Sequence, residues 1–479
     1  MIKKRELDKI FLYRHRFVIG YVLLVLAFLA MIFILPAVWT IGISKGEMQS
    51  VIASQNLSLN GILKGDIVNL PYLALQKLCI FIFGLNSYAI KLPSIIFAAA
   101  LAFFLVLLLN RWFKSNVALV SSILIVLSVP FLYMAGVGES VVLSVLMLVM
   151  ILWIGSKIHK ETKPKPVWLV AFSSLLAVSL MVPQMIYFVI AVVLYAAINP
   201  HFRFTITQQK WFIKILIFLN IMIGVGIFGV LIANHRINEI LFSEHGANIG
   251  TFFGNIQRGT LPFFMWNGVA DSSLLSPLIG LPVFAVIVVG ALANLKKFFR
   301  TKVFLATGLI GFGLFIIGIN EKNALILVVP AAILLAYGVR YIFNRWYEIF
   351  PENPYAKLFA LLPISVFLGT VMINNFSHFM FGYKYTPTVA YYFNNDLDLI
   401  LKNVKKGDVL LVAAGSLEYD FYKTAKKFKV SSDMEGEAKR FLVLKNWSGK
   451  ISEKYKLEKI ITSSKLRDSD RIYTYIVKD

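Results

Sequence analysis

Residues 83–94 read Phe83-Gly84-Leu85-Asn86-Ser87-Tyr88-Ala89-Ile90-Lys91-Leu92-Pro93-Ser94, and IIFAAALAFFLVLLL follows as far as Leu109. A helix needs roughly 20 residues to cross the hydrocarbon core of a bilayer. The run from Lys91 to Asn110 is that long and carries a charge only at its start. It therefore predicts a membrane span, with the Phe-Gly-Leu-Asn-Ser stretch before it read as turns and packing.

The same signal recurs along the chain. Eleven apolar stretches, near 17–38, 91–110, 116–134, 138–155, 167–182, 184–199, 211–233, 278–294, 303–319, 323–341 and 356–374, are long enough or nearly so to cross. Segments 167–182 and 184–199 are short and divided only by Pro183. One kinked segment is the competing reading, but their combined length is too great for a single span. Composition agrees: of 479 residues, 58% are apolar and only 15% charged, with mean hydropathy +0.75. A soluble domain of that size would carry far more charge, which excludes an ordinary cytosolic enzyme and a disordered chain.

The first segment reads as a signal anchor, because its apolar run exceeds the 7–15 residues of a cleaved signal core. Lys3, Lys4, Arg5, Lys9, Arg14 and Arg16 precede it, so the N-terminus is expected in the cytoplasm. With that orientation the inner loops and N-terminal arm hold 21 Lys and Arg against seven in the outer loops. The bias supports eleven spans with the C-terminus outside. It also accounts for most of the net charge of +23 as an orientation signal, so no nucleic-acid partner is expected. One cysteine, Cys79, excludes an internal disulfide or thiolate cluster, and the six histidines form no HxxxH or HExxH pair.

The expected architecture is an α-helical polytopic membrane protein. A transmembrane domain, 1–375, carries long outer loops at 39–90 and 234–277. An extracytoplasmic α/β tail, 376–479, is expected to contain strand 408–414, helix 417–428 and strands 440–445 and 471–477. Ala413-Ala414-Gly415-Ser416 is a plain strand-to-helix turn with no GxGxxG pattern, and no repeat of fixed period is present.

Outside the tail there are twelve carboxylates, none at the centre of a span, where a proton-coupled carrier would place its relay. Seven fall on the outer side: Glu47, Asp66, Glu139, Glu239, Glu244, Asp271 and Glu321. Glu47 begins a helical pattern continued by Met48, Val51, Ile52 and Gln55, compatible with an amphipathic helix on the bilayer surface. A carboxylate there can serve as general base or metal ligand, or simply stabilise the helix start through the dipole. Pro71 suits the first turn of a short apolar helix, 71–83, that tucks between the spans.

Span, acid-bearing loop, short Pro71-Tyr72 helix, Phe83-Gly84, Ser87 and Leu92-Pro93-Ser94 together resemble the start of bacterial GT-C glycosyltransferases, in particular the protein O-mannosyltransferase and aminoarabinose transferase group. The resemblance covers roughly residues 10–375 and is strongest over 40–115; Gly268, Pro277-Leu278 and Pro330 also look familiar. That family carries an Asp-Glu pair after span 1, an Arg before its Leu-Pro-Ser, and an Arg and Asp near span 4. Here Glu47 stands alone after Gly46, Lys91 replaces the first Arg, and Tyr133–Ser140 offers only Glu139.

The resemblance implies transfer of a sugar from a polyprenyl-phosphate donor to a protein, lipid or glycan acceptor at the outer face of the cytoplasmic membrane. Glu47 is then expected as the base, with Glu139 its nearest partner. Lys64, Asp66, Tyr72 and Arg258 are the expected substrate contacts, Asp66 also reading as a loop-turn residue. Arg258, Lys64 or a divalent metal ion would offset the charge of the departing phosphate. The aromatic loop around Arg258 suits closure over the lipid or plain anchoring among membrane lipids. The alternatives are a lipid or polysaccharide transporter or flippase, which would show half-repeats and mid-membrane polar sites, and a degenerate, non-catalytic relative that binds a lipid or a partner.

Overall fold

The computed structural model describes residues 42–161, 164–242, 249–265, 274–295, 302–349, 361–390, 392–405, 407–425, 428–434, 438–444, 446–462 and 471–478, with His15, Ile19, Gly20, Val22 and Tyr355. Strand β1, Ile43–Ser44, leads into helix α1, Lys45–Asn56. Helix α2, Leu70–Phe83, is the short Pro-Tyr helix, with Pro71 in its first turn. Helix α3, Ser87–Trp112, is the span read from the opening stretch; it starts four residues earlier than expected because Asn86 caps it, accepting from the Ala89 N–H at 2.7 Å.

Segment 116–134, expected as one span, is two helices. Helix α4, Ser115–Val126, and helix α5, Val129–Gly136, meet at 60°. Pro130 fits the first turn of α5, where its missing N–H costs nothing, and the Ser128 hydroxyl turns back to the Ile125 carbonyl at 2.6 Å. Every residue of α5 is buried, so the bend drives the following loop, Val137–Ser140, in among the other helices. Helix α6, Val141–Lys160, then crosses beside α3.

The break expected at Pro183 spans Leu180 to Gln184, and Gln184 takes a left-handed conformation (φ 58°). Its side of the break continues as Met185–Ile198, which bends by 79° into Pro200–Thr207. Among the described residues five helices are long and apolar enough to cross a membrane, or seven if each bent pair is one span. The expected segments 167–182 and 278–294 appear as helices of 14 and 12 residues, Pro166–Ser179 and Leu281–Leu292. Of the expected first span, 17–38, only Ile19, Gly20 and Val22 are described, and the helix Leu361–Tyr385 continues past the expected end at 374. The chain is thus a multi-pass membrane protein, with one large apolar core joining α3, α5 and α6 to Val328–Ile349.

After this bundle, strand β2, Phe393–Asn394, pairs antiparallel with β1. The tail then builds a five-stranded sheet in the order β4-β3-β5-β7-β6, from β3 Val409–Leu411, β4 Lys429–Ser431, β5 Arg440–Leu444, β6 Tyr455–Ile461 and β7 Ile472–Val477. The central strands were legible from their apolar runs. The two edges were not: β4 is three residues long, and β6 is exposed along most of its length and mixes Lys and Glu with its apolar residues. The sheet and its helix Leu417–Lys423 pack through Leu410, Phe421 and Leu442 into a core shared with Met48, Val51 and Ile90. The underside of the tail therefore rests on α1 and the start of α3.

Candidate functional site

The site begins at the cap of α1. Ser44 has an extended backbone, and its hydroxyl accepts the Glu47 N–H at 3.0 Å while Glu47 Oε2 accepts the Ser44 N–H at 2.6 Å. This reciprocal cap satisfies two donors that a helix start otherwise leaves open. The other oxygen, Oε1, accepts the Gly138 N–H at 2.6 Å and lies 3.8 Å from Lys91 Nζ. Glu47 has no solvent exposure. Both its oxygens are occupied by the protein, as the dipole-stabilised reading of this residue anticipated, with a bond across to the second acid's loop added.

Glu139, on that loop, sits next to it and has a different outlook. The Ser44 hydroxyl donates to its Oε1 at 2.8 Å while the Ser44 N–H donates to Glu47 Oε2, so one serine touches both carboxylates. Glycine leaves room on both sides of the pair. A Cβ on Gly46 would overlap Glu139 Oε1, and one on Gly138 would lie 2.8 Å from the Ile90 carbonyl and 3.0 Å from Glu47 Oε1. Burial pushes the Glu139 carboxyl above the usual range, and the negative charge of Glu47 adds to the effect; the Ser44 bond and Lys322 oppose it.

Glu139 opens into a polar cavity of about 190 Å³ with Gln49, Ser144, Gln184, Asn323 and Lys322 on its walls. An adjoining cavity of about 390 Å³ shares Asn69, Gln184, Asn320 and Lys322 with it and adds Asn255 and Arg258. Arg258 is ion-paired with Glu321 at 3.2 Å and bonded to Asn255 at 3.1 Å. Asn323 donates at 2.7 Å to Gln184, which lines both cavities. Asn69, held at φ 55°, has a buried Oδ1 with no hydrogen-bond partner among the described residues. The result is the Glu139 carboxylate at one end, Lys322 shared by both cavities, Arg258 with the carboxylates of Glu239 and Glu321 towards the other, and neutral amides and hydroxyls between.

Of the residues expected from sequence, Glu139 and Arg258 line this space. Glu47 lies behind its wall. Tyr72 is also fully buried behind it, its hydroxyl 2.8 Å from Ser94, which in turn donates to the Glu139 carbonyl at 3.3 Å. Asp66 is ion-paired with Arg236, and Lys64 is an exposed helix-end residue; neither lines either cavity. Lys322, one of the seven cations counted in the expected outer loops, lines both cavities. The signal for it was available in the polar tetrad Asn320-Glu321-Lys322-Asn323 between two apolar runs. Glu244 and Asp271 lie outside the described residues.

A divalent metal fits this donor set poorly. Among the described residues no three His, Cys, Asp or Glu side chains come together, and Glu47 already spends both oxygens on backbone N–H groups. Such ions bind through several oxygen ligands at once.

In sequence, residues 71–228 match a family model for dolichyl-phosphate-mannose-protein mannosyltransferases. That stretch holds the Pro-Tyr helix, the Leu-Pro-Ser entry to α3 and the Glu139 loop. The overall fold is similar to that of ArnT from Cupriavidus metallidurans bound to undecaprenyl phosphate, with TM-score 0.50 and 13% identity over 95% of this chain and 98% of that one. The apo state of the same protein matches with TM-score 0.50 and 11% identity over 96% and 98%. No curated protein sequence matches the chain. The resemblance to the GT-C glycosyltransferases read from residues 40–115 is thus met by an independent family match and by the fold.

Proposed function

We propose that the protein is a membrane glycosyltransferase that moves a sugar from a polyprenyl-phosphate donor to a hydroxyl acceptor at the outer face of the cytoplasmic membrane. The observation that carries this reading is the position of Glu139, a partly desolvated carboxylate facing a polar cavity whose far side holds Lys322 and Arg258. The structural likeness to a protein bound to undecaprenyl phosphate supports the donor class.

In this mechanism the Glu139 carboxylate removes the acceptor O–H proton as the acceptor oxygen attacks the sugar carbon. The bond from that carbon to the phosphate oxygen breaks, and the lipid phosphate leaves with the electron pair. Lys322, and Arg258 beyond it, offset the charge that develops there. A carboxylate whose proton affinity is raised is a stronger base than an ordinary one. Glu47, expected from sequence to be the base, becomes the buried anchor that presents Glu139. The amide lining supplies hydrogen bonds for a sugar. Membranes bearing the wild type or Glu139→Gln, given a radiolabelled polyprenyl-phosphate sugar, test the reading: labelled product should form with the first only.

A further inference from the structure

We infer that Phe393 and Asn394 are positioning residues for the acid site, holding Ser44 and through it Glu139. The inference rests on the glycosyltransferase reading of that site. Strand β1 is only two residues long, with Ile43 opposite Asn394 and Ser44 opposite Phe393. A ladder that short is not stable by itself, so its geometry is set by what clamps it. The contacts around it form that clamp. Phe393 is buried, and its ring meets Tyr383 edge-on at 6.0 Å; Tyr383 stacks on Tyr133 at 5.6 Å. Tyr133 belongs to α5, the helix that delivers the Glu139 loop. One aromatic column thus spans from the residue opposite Ser44 to the element carrying the acid that Ser44 bonds.

Three further ties fix the same segment. Gly42 adopts φ 98°, and a Cβ there would overlap the Asn394 carbonyl. Lys91 donates to the Gly42 carbonyl at 2.9 Å. Ser87, in the first turn of α3, donates to Asp398 at 2.6 Å, in the helix Asp396–Asn403 that follows β2. Leu397 and Ile400 of that helix share a core with Ile43 and Ile90. The segment entering the tail therefore backs the strand that holds the acid pair. The charged and titratable groups around Glu139 are Glu47 of α1 and Lys322 of the 321–327 turn, with Lys91 of α3 and Tyr72 of α2 behind.

The test uses the full chain in detergent and undecaprenyl phosphate as the probe, with affinity measured against pH. The probe's own titration is common to all variants and cancels between them. Wild type should show a pH step that Glu139→Gln lacks. Gly42→Ala and Phe393→Ala should move the midpoint of that step in the same direction as Ser44→Ala, changing affinity at a fixed pH by at least about twofold, and should do nothing to affinity in the Glu139→Gln background. Phe393→Leu, which keeps the apolar bulk, should restore the wild-type midpoint. Ser87→Ala removes only the Asp398 tie and serves where Gly42→Ala does not fold. An unchanged midpoint with a lowered Tm, or equal effects in both backgrounds, overturns the positioning role. A wild-type profile identical to that of Glu139→Gln instead overturns the site reading, and the inference with it.

Discussion

Gly138 donates its backbone N–H to Glu47 Oε1 at 2.6 Å, joining the loop of the second acid to the first turn of α1. The two acids, 92 positions apart in the chain, are thereby held as a pair. Only one of them faces open space.

The distinction is tested first at Glu139. Glu139→Gln keeps size and hydrogen bonding but removes the base, so transfer should fall roughly 10²–10⁴-fold. Stability should not suffer. The carboxyl holds its proton more tightly folded than unfolded, so its contribution to stability is full at low pH and is lost as pH rises through the raised folded value. At neutral pH the neutral amide should be at least as stable, as thermal unfolding would show. In wild type the acid limb of kcat/KM should lie above the ordinary carboxylate range, and Ser44→Ala, which removes a donor to the carboxylate, should raise it further.

Glu47 should behave in the opposite way. Glu47→Ala leaves Lys91 buried without its carboxylate and strips partners from the Gly138 and Ser44 N–H groups. Removing one member of a buried ion pair costs about 3–5 kcal/mol, so a marked drop in Tm is expected. Glu47→Gln should lower Tm less than Glu47→Ala, because its one carbonyl oxygen still accepts one of the two N–H bonds while its NH2 faces the other. A Glu47→Gln variant with full stability and no transfer would return the role of base to Glu47.

Gly46→Ala places a methyl group where Glu139 Oε1 now lies. Alanine suits a helix start, so the fold should persist while transfer falls with kcat rather than KM. Wild-type kcat in this variant would show that the Glu139 position is not critical.

Lys322 and Arg258 should differ in weight. Lys322 lines both cavities, while Arg258 lines one and is ion-paired with Glu321. Affinity for undecaprenyl phosphate should fall more with Lys322→Ala than with Arg258→Ala, and both losses should shrink at high salt. The reverse order would move the phosphate to the adjoining cavity lined by Arg258.

Orientation is tested separately. The 21-to-7 bias of Lys and Arg predicts that a reporter active only outside the cytoplasm works when fused after Asp479. Activity of a cytoplasmic reporter there would reverse the tail.

Much of the architecture was legible in the chain because it is written in local pattern. The run after Lys91 is apolar enough to cross a membrane wherever it is placed, and Pro71 and Asn86 mark helix starts through groups within a few residues of them. The family resemblance came from the same short-range text. Glu47 and Glu139 could be singled out as outer acids because acids are scarce there. Their roles could not be divided, since both lie beside Ser44 and differ only in what stands behind them. That depends on the 60° bend at Leu127–Ser128, which drives Gly138 onto Glu47 and leaves Glu139 at the cavity, and on the pairing of Ser44 with Phe393, some 350 residues away. Lys322 gained its place in the same way, when the turn between two spans folded over Asn69 and Gln184. Helix periods and caps act over one or two turns and can be read from sequence. Which carboxylate is occupied by backbone N–H groups and which meets open space is decided only when distant segments pack.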